Sequence, residues 1–126
     1  MKLKMNKKPQ KLIFLVDDDA HILEEMSELL RLEGFSVDTS RKAIDAIDRI
    51  QGGLDYDLLV VDREMTGPDD GGDEVARVSK ITNPKTPVFA MSAYHDNYNR
   101  TYFDNYFDKP DDPIALIELI KLKLEI

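Results

Sequence analysis

Short apolar runs alternate along this chain with segments whose apolar residues recur at helical spacing. Apolar runs of this length that end in polar groups are typical of buried strands, and alternating runs indicate strands with one exposed face. The predicted strands cover 11–16 (KLIFLV), 35–39 (FSVDT), 57–61 (DLLVV), 86–91 (TPVFAM) and 104–108 (DNYFD).

Two helices are predicted between the first three strands. Asp18 or Asp19 can cap the first helix, which stops near Gly34, and Gly52 and Gly53 close the second. Each helix has apolar residues on one stripe, as expected for a helix that packs on a sheet. These residues are Ile22, Leu23, Met26, Leu29 and Leu30 in the first, and Ala43, Ile44, Ala46, Ile47 and Ile50 in the second.

A third helix is predicted from about residue 73 to 81, and a last one starts at Asp111 or Asp112. Pro113 suits the first turn of that helix, where its missing N–H is harmless. The apolar residues of 120–126 alternate as in a strand, but the cap favours a helix. Residues 93–103 break the pattern and predict a single irregular helical turn.

Strands that alternate with helices predict an α/β fold in which a parallel sheet is covered on both faces. The length of 126 residues suits one compact domain. No repeat, linker or second domain is evident.

The charge of the chain restricts the partners that it can bind. Seventeen Lys and Arg stand against 25 Asp and Glu, and five of the Lys lie within residues 1–11. The remaining body is strongly acidic and would repel nucleic acid and anionic lipid, so no nucleic-acid or membrane partner is expected. We interpret the basic arm as a solvated tail.

Targeting signals and soft metal ligands are missing from the sequence. No apolar run approaches the roughly 18 residues of a membrane span, and no signal peptide is evident, so a cytoplasmic location is expected. The chain has no Cys, which excludes disulfides, thiolate metal sites and thiol catalysis. His21 and His95 are isolated and form no metal-ligand pair.

Polar residues follow four of the predicted strands, namely Asp17 and Asp18, then Asp62, Ser92 and Lys109. The carboxyl ends of parallel strands share one edge, where ligand sites of open α/β sheets lie. Three carboxylates brought together there repel one another unless they are protonated or hold a cation. Mg²⁺ is favoured, because it binds carboxylates and keeps open a position for a phosphate oxygen. The set suits the transfer of a phosphoryl group.

With these residues the sequence resembles the receiver domain of bacterial two-component response regulators, in a single-domain form similar to chemotaxis regulators. The motifs are LIFLVDDDAHIL (12–23), DLLVVDREM (57–65), Ser92-Ala93 and YFDKP (106–110). The resemblance implies a flavodoxin-like, doubly wound, five-stranded parallel sheet of order 2-1-3-4-5. It also implies a receiver domain over 11–126, preceded by the basic tail of 1–10.

The resemblance implies a role for each acidic residue of the site. Asp62 would accept a phosphoryl group from the phosphohistidine of a partner. Asp18 and Asp62 would bind Mg²⁺ directly, Asp17 would act largely through water, and Glu64 would supply its backbone carbonyl. Glu64 and Tyr94 would also flank the path of hydrolytic water, which predicts a long-lived phosphoryl state.

The remaining site residues would bind the phosphoryl group or move in response to it. By the same resemblance, Ser92 and Lys109 would bind phosphoryl oxygens, and the small Ala93 would leave room for them. Tyr106, three residues before the Lys, would move inward as Ser92 shifts. Asp108 replaces an apolar residue, and it could either position Lys109 or point to solvent.

Two segments depart from the family pattern. After Met65 the usual Pro is replaced by Thr66, in a loop that is about two residues longer. The interval from Ser92 to Lys109 is about one helical turn shorter than usual, so the fourth helix of the family is expected to be shortened or absent. Family members commonly dimerise or bind partners through that helix, which leaves the mode of partner binding open.

The function predicted is that of a response regulator that takes a phosphoryl group from a sensor histidine kinase or phosphotransfer protein. It would signal to an unknown target by protein contact, with a possible phosphorylation-dependent homodimer, and it would not be an enzyme. One alternative is a pseudo-receiver that only binds partners. Another is a Mg²⁺-dependent phosphatase or nuclease, suggested by the D-x-E pair of Asp62 and Glu64.

Overall fold

A computed structural model of the chain describes residues 10–65, 71–92, 101–108 and 113–124. Strands and helices alternate through most of it, as predicted. The strands are β1 (Leu12–Val16), β2 (Ser36–Ser40), β3 (Leu58–Asp62), β4 (Val88–Ser92) and β5 (Asn105–Asp108). The helices are α1 (Ala20–Leu32), α2 (Ala43–Gln51), α3 (Gly72–Thr82) and α4 (Pro113–Lys123).

All five strands are parallel and lie in the order β2-β1-β3-β4-β5, which confirms the predicted doubly wound sheet. The apolar residues of α2 and α3 join one cluster with alternate residues of the strands, such as Phe14 and Val61. Those of α1 and α4 join a second cluster with the intervening residues, such as Leu15 and Val60. The central strands are therefore buried on both faces, which explains their unbroken apolar runs.

Helix α1 begins where the sequence predicts. Asp19 is its N-cap, and its carboxylate accepts hydrogen bonds from the backbone N–H of His21 at 2.9 Å and Ile22 at 3.4 Å. The chain leaves the helix through Gly34, whose φ of 98° lies in the left-handed region that favours glycine. The helix start is thereby held directly after the polar end of β1.

Tertiary packing settles two ambiguities in the helices. Residues 120–123 of the alternating apolar tail belong to helix α4, in which Leu116, Ile117 and Ile120 lie at helical spacing and are buried against the sheet. The last two residues of that tail lie outside the described part of the chain. In α2, Ala43, Ala46 and Ile50 face the core, whereas Ile44 is 62% exposed. The inclusion of Ile44 in the apolar stripe was therefore wrong, since the sheet covers a narrower face of this short helix.

Strand β5 is held beside β4 by Asp104. Its carboxylate accepts hydrogen bonds from the Val88 N–H at 2.8 Å and the Lys80 ammonium at 2.7 Å. Burial raises the pKa of Asp104, but these hydrogen bonds outweigh burial and leave the pKa below its ordinary value. This contact positions the strand that carries Tyr106.

The segment between β4 and β5 is described only from residue 101 onward, and residues 101–104 form turns and bends without a helix. Most of the predicted irregular helical turn at 93–103 lies outside the described residues. The described parts of the chain contain four helices. No helix in these parts has the length and apolar character that crossing a membrane would require.

Candidate functional site

The carboxyl ends of β1, β3 and β4 meet at one edge of the sheet. Val16 pairs with Val61, so the following residues Asp17 and Asp62 lie side by side. Ser92 ends the next strand, where Asp62 pairs with Met91. Asp17 and Ser92 are 0% exposed and Asp62 is 2% exposed. The parallel register thus buries two carboxylates and a hydroxyl together.

The structure brings together the three carboxylates that the sequence suggested. One oxygen each from Asp17, Asp18 and Asp62 lies within 4.8 Å of the others. Asp17 and Asp62 are buried and Asp18 is half-buried. Buried like charges at such distances are costly unless a cation offsets them, and an all-carboxylate set suits a hard divalent ion such as Mg²⁺. By its donor chemistry the cluster therefore fits the predicted metal.

Backbone groups orient these carboxylates. The Asp17 carboxylate accepts a hydrogen bond from the Asp19 N–H at 2.9 Å, and the Asp62 carboxylate accepts one from the Glu64 N–H at 2.9 Å. The guanidinium of Arg41 donates to the Asp18 carbonyl at 3.2 and 3.4 Å. The turns after β1 and β3 thus hold the acids in place, and Arg41 is a contributor that the sequence did not indicate.

The Glu64 side chain contacts Ser92 directly. The Ser92 hydroxyl donates a hydrogen bond to the Glu64 carboxylate, across 28 positions of sequence. Glu64 is exposed, so its carboxylate lies on the solvent side of a hydroxyl that is fully buried. Sequence reasoning assigned Glu64 a backbone role and a place beside hydrolytic water, and it did not identify this contact. No local pattern could have done so, because β3 and β4 meet only in the sheet.

Arg63 ties the turn after β3 to its surroundings. Its backbone N–H donates to the Met91 carbonyl at 2.9 Å, and its guanidinium forms a two-pronged ion pair with Asp73 at 2.9 and 3.3 Å. The hydrogen bond with Asp73 raises the pKa of Arg63; partial burial opposes this, and the negative charge of Asp73 adds to it. The first turn of α3 is therefore fastened to the residue that follows Asp62.

The start of α3 also touches the backbone of Asp62. A side chain at Gly72 would meet the Asp62 carbonyl oxygen, and its Cβ would lie 2.8 Å from the Arg63 Cα. Real Cβ atoms essentially never approach other atoms so closely. Gly72 is therefore required by close approach at the end of β3, a need that the sequence did not reveal.

Tyr106 lies on β5, paired with Ala90 of β4. It is half-buried against the core cluster of α2 and α3, and its hydroxyl oxygen is buried. Asp108 pairs with Ser92 in register and is half-buried. Asp108 therefore lies at the same edge of the sheet as the acidic cluster, and Tyr106 lies two positions before it on the strand.

Several predicted features lie outside the described residues. They are Lys109, the pair Ala93 and Tyr94, most of the lengthened loop after Met65, and the cap of the last helix at Asp111 or Asp112. Their roles remain the predictions made from the sequence.

Comparison with known proteins identifies relatives of this chain. A family model described as the response regulator receiver domain matches residues 13–121. The cell cycle response regulator CtrA of Brucella ovis is 32% identical over 117 residues. The match covers 86% of this chain and 49% of CtrA. The chain spans about half the length of the curated relatives it matches.

Solved structures resemble the chain over nearly its full length. A CheY-like response regulator receiver domain protein from Methanospirillum hungatei matches with a TM-score of 0.83 and 28% identity, covering 93% of this chain and 95% of that chain. The response regulator protein TrrA from Thermotoga maritima, solved in complex with Mg(2+)-BeF, matches with a TM-score of 0.79 and 29% identity. That match covers 90% of this chain and 98% of TrrA.

Proposed function

Because this chain belongs to the response regulator receiver domain family, we propose that Asp62 accepts a phosphoryl group in a Mg²⁺-dependent reaction. The donor is a sensor histidine kinase or phosphotransfer protein, and the phosphorylated chain signals through contact with a target protein. The observation that supports this most directly is the cluster of Asp17, Asp18 and Asp62, of which Asp17 and Asp62 are buried, with Ser92 on the neighbouring strand. Receiver domains are signalling domains, in keeping with such a role.

In the proposed reaction an Asp62 carboxylate oxygen attacks the phosphorus of a phosphohistidine. A phosphorus–oxygen bond to Asp62 forms as the phosphorus–nitrogen bond breaks, and the leaving imidazole takes up a proton. The Glu64 N–H, at 2.9 Å, holds the Asp62 carboxylate in a set rotation before attack. Such positioning lowers the barrier because phosphoryl transfer depends mainly on alignment and charge stabilisation.

Asp17, Asp18 and Asp62, with the backbone carbonyl of Glu64, would hold the Mg²⁺ ion. A bound Mg²⁺ neutralises charge on the acids and on the phosphoryl oxygens. In the same proposal, Ser92 donates its hydroxyl hydrogen to a phosphoryl oxygen, and Lys109 pairs with another. The Mg(2+)-BeF complex of TrrA, 29% identical to this chain, supports a site of this kind.

We propose that a movement of the Tyr106 ring transmits the phosphorylation of the site to the protein surface. This residue is half-buried on β5, next to the strand that ends in Ser92. A shift of Ser92 toward the phosphoryl group would make room for the ring, which would change the surface offered to a target or to a second copy of the chain.

The test of this function is intact mass after incubation with acetyl phosphate and Mg²⁺. We expect one added phosphoryl group, with acetate as the product, and none when a chelator removes the Mg²⁺. A folded protein that binds Mg²⁺ and gains no mass from acetyl phosphate or any phosphohistidine donor would contradict the proposal and favour a pseudo-receiver. Turnover of a phosphate ester would instead favour a phosphatase or nuclease.

Mg²⁺ is expected to stabilise the wild-type protein, by about 2.7 kcal/mol at 100 times its dissociation constant. An Asp18→Asn variant should bind Mg²⁺ at least about tenfold more weakly. The reason is that a carboxylate 4 Å from a divalent ion contributes about 2 kcal/mol even at the dielectric constant of water. At the same Mg²⁺ concentration, the stabilisation of this variant should then fall to about half of the wild-type value or less.

Thermal or urea unfolding with and without Mg²⁺ measures this difference. Asp19→Asn is the matched control, because Asp19 lies next in sequence and outside the carboxylate cluster. Asparagine caps helices as well as aspartate does, so this control should keep the full response to Mg²⁺. An equal response to Mg²⁺ in both variants would argue against a metal site at the cluster.

A further inference from the structure

We propose that the Glu64 carboxylate competes with the incoming phosphoryl group for the Ser92 hydroxyl and thereby slows phosphorylation of Asp62. This inference rests on the proposed function, since it concerns the same site. It makes Glu64 a positioning residue that acts through Ser92 from its side chain, in addition to any role of its backbone carbonyl.

The competition follows from the chemistry of a hydroxyl group. Ser92 has one O–H hydrogen, so its hydroxyl can donate to one strong acceptor at a time. In the structure it donates to the Glu64 carboxylate. A phosphoryl oxygen on Asp62 would need the same hydrogen. The contact with Glu64 must therefore break before Ser92 can stabilise the phosphoryl group.

Burial makes this exchange more costly than it would be at an open surface. Ser92 is 0% exposed, so water has little access to its hydroxyl when the hydrogen bond to Glu64 breaks. A hydrogen bond to an ionised carboxylate is also stronger than one to a neutral acceptor. The hydroxyl is thus held firmly by Glu64 until another anionic acceptor replaces it.

Glu64 also brings a further negative charge to the place where phosphoryl oxygens would lie. Its backbone N–H holds the Asp62 carboxylate at 2.9 Å, while its side chain holds Ser92 on the neighbouring strand. One residue therefore links the proposed phosphoacceptor to the proposed hydroxyl donor. The Glu64 side chain must move away before the phosphoryl group can enter. Because Glu64 is exposed, its side chain can turn into the solvent.

Removing this side chain should speed phosphorylation by a small donor. We expect Glu64→Ala to accept a phosphoryl group from acetyl phosphate about tenfold faster than the wild type, since a hydrogen bond to a charged group is being released. Glu64→Gln should fall between the two, because glutamine can still accept from Ser92 but has no charge. The affinity for beryllofluoride with Mg²⁺ should rise in the same order.

The control for total charge is Glu24→Ala. Glu24 is an exposed carboxylate on α1 that lines none of the acidic cluster, so its removal changes the net charge equally and should leave the rate unchanged. Intact mass measured over time gives the rates with acetyl phosphate, which avoids any effect on docking of a kinase.

The decisive comparison repeats Glu64→Ala in a Ser92→Ala background. If Glu64 acts through the hydroxyl, the gain in rate should disappear there. A gain of equal size in both backgrounds would overturn the inference, since it would show direct repulsion of the donor. A wild-type rate that Glu64→Ala does not increase would overturn it too, and would leave the proposed function intact.

The contact can also be measured without phosphorylation. Unfolding of the wild type, Glu64→Ala, Ser92→Ala and the double variant forms a double-mutant cycle. It should give a favourable coupling between the two side chains, of about twofold or more in the equilibrium constant for unfolding. An absence of coupling would be enough to contradict the inference. If neither wild type nor any variant accepts a phosphoryl group, both the proposed function and the inference fail. Phosphorylation that appears only in Glu64→Ala would support the inference, whereas the proposed function requires the wild type to accept a phosphoryl group as well.

Discussion

Replacing Asp62 with asparagine is expected to abolish phosphorylation by acetyl phosphate or by a kinase. An amide oxygen is a poor nucleophile, and no other carboxylate of the cluster lies at the end of the central strand beside Ser92. The fold should survive, because the amide oxygen of asparagine can still accept the hydrogen bond from the Glu64 N–H. Intact mass and a denaturant unfolding curve of the same sample measure both outcomes.

Asp57→Asn is the matched control for this substitution. Asp57 directly precedes the opposite end of the same strand, and its carboxylate accepts a hydrogen bond from the Leu12 N–H at 2.7 Å. Asparagine can keep that contact as well, so the control should accept a phosphoryl group at the wild-type rate. A full added mass in Asp62→Asn, with the Asp57 control unchanged, would place the acceptor elsewhere in the chain.

Gly72→Ala is expected to damage both stability and the site. Its Cβ would meet the Asp62 carbonyl oxygen and lie 2.9 Å from the Asp62 carbonyl carbon, and both atoms belong to a backbone buried in the sheet. Neither helix α3 nor strand β3 can move away without loss of packing, so we expect a destabilisation of about 3 kcal/mol. Because the clash displaces Asp62 itself, phosphorylation of the remaining folded protein should slow as well.

Gly53→Ala separates this close approach from the general cost of replacing a glycine. Gly53 has a φ of 101°, and a Cβ there would meet nothing within 4 Å. Alanine should cost about 1 to 2 kcal/mol at this position through backbone strain alone. Its phosphorylation rate should equal that of the wild type. If Gly72→Ala proved no more harmful than Gly53→Ala, α3 would not press on the acceptor backbone as the structure indicates.

These expectations converge on the three residues at the end of β3 and after it. Asp62 belongs to the acidic cluster, Arg63 joins α3 through Asp73, and Glu64 reaches Ser92. A change at Asp62 therefore has a direct path to the first turn of α3 and to the end of β4. Under the proposed competition at Glu64, release of Ser92 accompanies entry of the phosphoryl group.

Much of the fold is determined by local sequence, because strands buried on both faces must be apolar throughout. The runs LIFLV and LLVV have this property, and the observed β1 and β3 lie within one residue of the predicted ends. Polar residues can follow such runs only at the edge of the sheet. The alternation of elements and the gathering of Asp17, Asp18 and Asp62 could therefore be predicted from sequence alone.

Tertiary structure alone decided the features that depend on contacts between distant segments. Glu64 and Ser92 are 28 positions apart, and Arg63 and Asp73 are 10 apart, with no periodicity to pair them. The need for glycine at position 72 likewise arises only when α3 packs on β3. The local apolar pattern predicts which face of each helix or strand is buried. These contacts depend instead on where the packed sheet places the elements relative to one another.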